Sequence, residues 1–179
     1  MLYLSGFKTD KKLVISPTDF ADEEVVLLGA DCSINAWQVS FDGKVNAGDT
    51  LYFELGVPFH LNHNNPLTAK APLNVSEMFW SWQLGHKFLR YDGDDGFSFH
   101  LGSTGCKSAS RLRPATEACR YPNTFQFKVD NYRPDKSIVF DLDALLLGVD
   151  KRESCMSDNA NKVCQSLFSN LTKELFYQE

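Results

Sequence analysis

Turn signals recur along the chain at short intervals: FDGK at 41 to 44, NAGD at 46 to 49, YDGDDG at 91 to 96 and NYRPDK at 131 to 136. Only short elements fit between them. The intervening segments are rich in β-branched and aromatic residues and alternate with a period of two, which predicts strands. The candidates are 2–7, 25–28, 37–45, 50–55, 87–91, 97–101, 124–129 and 138–142. Eight short strands in one domain predict an all-β fold, an antiparallel β-sandwich. Helices are minor. Val163, Leu167, Phe168, Leu171 and Leu175 share one apolar face, so a C-terminal amphipathic helix should pack on the sandwich. ALLLG at 144 to 148 adds at most a single turn. No repeat or linker divides the sequence, and residues 1–179 read as one domain.

With 43% hydrophobic and 13% aromatic residues, a chain of 179 has enough apolar mass for a substantial core. Its net charge of -5 and its lack of any lysine and arginine run argue against nucleic acid or an acidic membrane as partner. No apolar run approaches the roughly 20 residues of a spanning helix. A hydrolase finds neither GxSxG nor an acid–base constellation. The reading is non-enzymatic: small ligands or proteins are the expected partners.

Four of the five cysteines form two locally spaced pairs, Cys106 with Cys119 and Cys155 with Cys164, each bracketing a polar, turn-rich loop. This predicts two disulfide-closed loops and an oxidising compartment. Each closure removes on the order of 3 kcal/mol of unfolded-chain entropy. Zinc is the weaker reading, because there is no CxxC or HxxxH and the cysteines lie outside the histidine region. Cys32 is left over. MLYLSGF reads as a strand from residue 2 with no leader before it, which favours a sequence lacking its natural beginning.

All four histidines and two of the three tryptophans fall between residues 60 and 100. In GFSFHLG the period of two puts Phe97, Phe99 and Leu101 on one face and Ser98, His100 and Gly102 on the other. His63 lies in LNHNNP, a polar loop closed by Pro66. A loop histidine and a strand histidine are candidate ligands, since neutral imidazole suits copper, zinc and nickel. Trp80 and Trp82 in MFWSWQ share a face if extended and diverge by roughly 200° if helical. Their plain role is core packing.

Several long motifs together resemble a known family. They are LYFELGVPFHLNHNNP, APLNVSEMFWSWQLGHKFLR, FSFHLGSTGC, the C-x-x-PN at 119 to 123, and CMS followed by a later cysteine and LF. The succession resembles the MbnP family, the methanobactin-associated periplasmic copper-binding proteins, which are related to the copper-repressible proteins of methane oxidisers. The resemblance implies a periplasmic or secreted protein whose copper site, in the Cu(I) state, uses two histidines and a kynurenine made from tryptophan. It implies a diheme MauG-like peroxidase as modifying partner, and a copper donor or acceptor protein. Carried over, it favours His63 and His100 as ligands, with His60 and His86 in second rank. Trp80 or Trp82 is the kynurenine precursor, ahead of Trp37.

Two features depart from the family pattern. A secretion signal and a first strand carrying a cysteine are absent from this sequence, which would leave Cys32 unpaired and a sheet edge open. Separately, DGDDG at 92 to 96 and FDLDALLLGVD at 140 to 150 cluster carboxylates and admit a calcium site, although neither fits an EF-hand loop. The competing overall reading is a non-metal sandwich module that binds a protein or small ligand.

Overall fold

LYLSGFK becomes the central strand of the molecule because both of its edges find partners. A computed structural model describes residues 1–31, 34–81, 83–110 and 112–179. In it, β1 (Leu2–Lys8) is flanked by β3 (Val25–Ala30) and β6 (Leu51–Leu55), both antiparallel. Beyond these lie β4 (Asn35–Ala36) and β10 (Phe125–Val129), giving the order β10-β6-β1-β3-β4. A second group comprises β7 (Phe79–Ser81), β8 (Gly85–Asp92) and β9 (Ser98–Gly102). It joins the first at the start of β1, where Leu2 pairs with Leu89. Two small ribbons complete the all-β sandwich: β2 (Val14–Ile15) with β5 (Phe41–Asp42), and β11 (Ile138–Phe140) with β12 (Phe176–Gln178).

Period-two burial puts the large apolar side chains of both groups into one continuous core. Tyr3 and Phe7 of β1, Leu27 of β3, Leu55 of β6, Phe88 of β8 and Phe99 and Leu101 of β9 are all buried. The expected division of GFSFHLG holds: Phe97, Phe99 and Leu101 are buried, while Ser98 and His100 are part-exposed on the opposite face.

The helices are α1 (Phe59–Asn62), α2 (Leu142–Leu146) and α3 (Lys162–Leu171). Asn161 caps α3 by accepting a hydrogen bond from the Cys164 amide at 3.0 Å, leaving Val163, Leu167 and Leu171 to face the core. The helix is shorter than expected. Leu175 is buried, but it lies beyond α3, where its carbonyl accepts from the Asp141 amide at 2.8 Å and leads the chain into β12. Among the described residues no helix is long and apolar enough to cross a membrane.

The expected strand over 37–45 is broken. Within that span only Phe41–Asp42 pairs, and Trp37 is 67% exposed. Strand propensity is realised only where a partner runs alongside, and the short β2 offers two residues. Ile138–Phe140 is likewise shorter than expected, because Asp141 accepts from the Ala144 amide at 2.8 Å and starts α2.

Both predicted disulfides form, Cys106–Cys119 and Cys155–Cys164; Cys32 lies outside the described residues. Non-reducing peptide mapping of protein from an oxidising compartment is expected to recover these two cross-links. Finding either pair reduced, or the partners crossed, would contradict the pairing.

Candidate metal centre

Trp80 owes its position to an irregularity. Phe79 pairs with His86 and Ser81 with Gly85, so β7 carries one more residue than β8 across this interval. The extra residue is Trp80, and a bulge of this kind re-aims a side chain. MFWSWQ is thus extended at Trp80, after a 3-10 turn over Ser76–Met78. Trp82 lies outside the described residues.

The indole of Trp80 rests on bare backbone. A Cβ built on Gly102 would stand 2.9 Å from Trp80 Cζ3 and 2.9 Å from the His86 carbonyl oxygen, so glycine is what permits this approach. Gly102 and His100 share a face of β9, and the Trp80 and His100 rings lie with centroids 6.5 Å apart.

Among the described residues, the His100 ring is hydrogen-bonded on one side. Its Nε2 lies 2.8 Å from Asp92 Oδ1, and its side chain is 13% exposed. Burial is the largest influence on its pKa and lowers it; the hydrogen bond to Asp92 works against this, and the Lys87 and Arg90 charges add to the lowering. Burial would raise the Asp92 carboxyl, but hydrogen bonds from Ser98, His100 and Arg90 outweigh it and hold the group at about 2. A neutral imidazole therefore donates from Nε2 to an ionised carboxylate. Among the described residues Nδ1 makes no hydrogen bond.

The backbone around His100 is fixed by the second disulfide loop. The His100 amide donates to the Cys155 carbonyl, and the Cys155 amide to the Ser98 carbonyl, each at 2.9 Å. Ser157 Oγ donates to the His100 carbonyl at 2.9 Å and accepts from the Gly102 amide at 2.8 Å. CMS thus runs along β9 on the side away from β8. Asp92 and Ser157 were not anticipated as parts of the site. A hairpin register for β8 and β9 would have placed Asp92 diagonally across from His100; Ser157 had no local signal.

His63 is not an accessible loop residue, which corrects the sequence reading of LNHNNP. It ends α1, is only 7% exposed, and packs against the Phe59 ring with centroids 5.2 Å apart. Its Nε2 lies 3.9 Å from Cys119 Sγ. The burial follows because the Cys106–Cys119 loop folds over the helical turn. Among the described residues, His63, Cys106 and Cys119 form the group whose ligand atoms converge within 4.8 Å, but both sulfurs are committed to the disulfide. No hydrogen bond or ring contact between described residues joins His63 to His100.

The second-rank histidines have other work. His60 pairs with Glu24 at 3.2 Å on the surface. His86 is fully buried, with Nδ1 2.7 Å from the Asn62 carbonyl and Nε2 3.1 Å from the Leu73 carbonyl. Both of its nitrogens face acceptors, which suits a structural role rather than ligation.

Among the described residues, the carboxylates of the two acidic stretches do not converge as a metal-ligating group, and several have other partners. Asp92 serves Arg90 and His100, Asp95 accepts from the Phe97 amide at 3.1 Å and lies 3.8 Å from Lys151, Asp141 caps α2, and Asp150 pairs with Arg152.

Comparison with known proteins agrees with the resemblance in the motifs. The solved structure of MbnP from Methylosinus trichosporium matches with a TM-score of 0.76 at 24% identity, covering 98% of this chain and 84% of that one, a likeness of fold. No curated protein matches. The MbnP family model matches residues 2–166, a span that holds the bulged tryptophan, the His100 strand and both disulfides, so the chain belongs to the MbnP family.

Proposed function

We propose that this protein is a non-enzymatic, periplasmic copper-binding protein of methanobactin-associated copper handling, with His63, His100 and a tryptophan-derived kynurenine supplying the metal donors. The observation that carries the reading is the indole of Trp80 seated 6.5 Å from a mostly buried, carboxylate-oriented imidazole, within a chain of this family. The donor chemistry fits. Neutral imidazoles suit copper, and a site without cysteine stays usable where thiols are oxidised. His100 presents Nδ1, and His63 presents an imidazole beside a sulfur that is already oxidised.

An intact indole nitrogen has no lone pair to offer a metal. Ring opening changes that. Cleavage of the indole C2–C3 bond with addition of two oxygen atoms, followed by hydrolytic loss of the formyl group as formate, leaves a ketone and an aromatic amine. The oxidant must come from outside the chain: two equivalents of hydrogen peroxide, reduced to water, or one of dioxygen balance the two added oxygen atoms, and a diheme MauG-like peroxidase is the partner of fitting chemistry. When bound, copper would be the protein's cargo, passed from a donor or to an acceptor protein.

Protein expressed alone is expected to bind copper weakly, and protein co-expressed with the diheme enzyme tightly. Tandem mass spectrometry should then find the loss of one carbon and gain of one oxygen on a peptide covering residues 71–87, at Trp80 or Trp82. Tight binding by fully unmodified protein, or modification confined to Trp37, would overturn the reading.

A further inference from the structure

Resting on the copper-site reading, we infer that Asp92 is a positioning residue for His100, fixing its Nε2–H tautomer so that Nδ1 keeps the lone pair for a metal. The placement follows from the hairpin. Arg90 pairs with His100 and Asp92 with Ser98, so Asp92 lies diagonally across the strands from His100. Diagonal neighbours are within reach of longer side chains. The two carboxylate oxygens are divided: Oδ1 takes the imidazole Nε2 at 2.8 Å and Oδ2 takes Arg90 Nε at 2.7 Å.

Arg90 gives the carboxylate its direction. A guanidinium can only donate, so it fixes which oxygen is left for His100, whereas the hydroxyl of Ser98, the third group bonded to this carboxylate, can donate or accept and selects neither oxygen. An ionised carboxylate accepts only, so the histidine nitrogen facing it must carry the hydrogen. The other nitrogen is then a bare donor. Carboxylate–histidine pairs of this kind set ring orientation, tautomer and basicity in metal sites generally.

The geometry makes an unusual demand of Asp92→Asn. Arg90 still donates to position 92 and keeps the amide oxygen for itself, which turns the NH2 toward His100. Nε2 must then accept, and the hydrogen moves to Nδ1, blocking the nitrogen meant for the metal. Asp92→Ala imposes no preference and leaves a mixture. The isosteric asparagine is therefore the more damaging variant for copper, the reverse of what a merely structural role would give.

The test uses the full chain in two arms. In copper-free protein with 15N-labelled histidine, long-range proton–nitrogen correlation spectra at mildly alkaline pH report the tautomer, with His100→Ala identifying the signals. Wild type is expected to show Nε2–H, Asp92→Asn Nδ1–H, and Asp92→Ala both. In protein co-expressed with the diheme enzyme, competition with a Cu(I) chelator is expected to show about 10- to 100-fold weaker binding for Asp92→Asn, with Asp92→Ala in between. A wild-type Nδ1–H tautomer, or variants whose spectra match wild type, overturns the role of Asp92. A wild type with the expected tautomer whose copper affinity is indifferent to His100→Ala overturns instead the site reading on which that role rests.

Discussion

Alanine at position 100 is expected to weaken Cu(I) binding by more than about 100-fold, since losing a ligand should cost more than losing the group that orients it. The fold should survive. His100 lies on the outer face of β9, its backbone is held by Cys155 and Ser157, and the one side-chain hydrogen bond it makes among the described residues, to the exposed and ionised Asp92, is worth about 1.5 kcal/mol, the low end for a charged partner. His63→Ala should match it in copper loss and exceed it in instability, because the buried ring fills the space between Phe59 and the Cys106–Cys119 disulfide. Both variants are measured after co-expression with the diheme enzyme, by chelator competition beside chemical denaturation. His60→Ala serves as the control, its ring being on the surface with Glu24. Should His60→Ala and His86→Ala abolish binding while the other two retain it, the ligand assignment is wrong.

The sandwich was legible because its signals are local. Alternation in LYLSGF, LYFEL and FSFHLG, and turns such as YDGDDG, require no knowledge of distant residues. The same logic failed at 37–45, where the pattern was present and the partner strand was not. His100 was placed correctly on its face from period two alone. His63 was not: its burial depends on a disulfide loop more than forty residues away folding over α1. Trp80 was undecidable between strand and helix, because a bulge obeys the pairing of β7 with β8 rather than the propensity of MFWSWQ. Asp92 read as part of an acidic turn until the register of β8 and β9 brought it to His100.

The two histidines that differ most in their surroundings, His86 and His60, also separate scaffold from surface. His60→Ala should leave stability within about 0.5 kcal/mol of wild type. His86→Ala should cost about 3 to 5 kcal/mol, for it deletes a fully buried ring packed edge-on to Tyr3 and Phe79 and removes the single hydrogen bond that a neutral ring donates to the carbonyl of Asn62 or Leu73. Acid should act in the same direction. Burial lowers the pKa of His86, and the hydrogen bonds to Asn62 and Leu73 only partly oppose it. The unfolded imidazole takes up its proton near pH 6.5 while the folded one still resists, so the unfolded state binds more protons. Stability is then full above about pH 6.5 and falls as the pH drops from there toward the depressed folded pKa. Urea unfolding followed between about pH 8 and pH 5 should show the wild-type midpoint declining through this window. His86→Ala should start lower and decline less; His100 and the Met1 amino group, whose pKa values burial lowers too, contribute to the slope that remains, and Glu54, whose carboxyl burial raises, opposes it. A wild-type midpoint that rises on acidification, or a His86→Ala protein that keeps the whole slope, would remove His86 from this role.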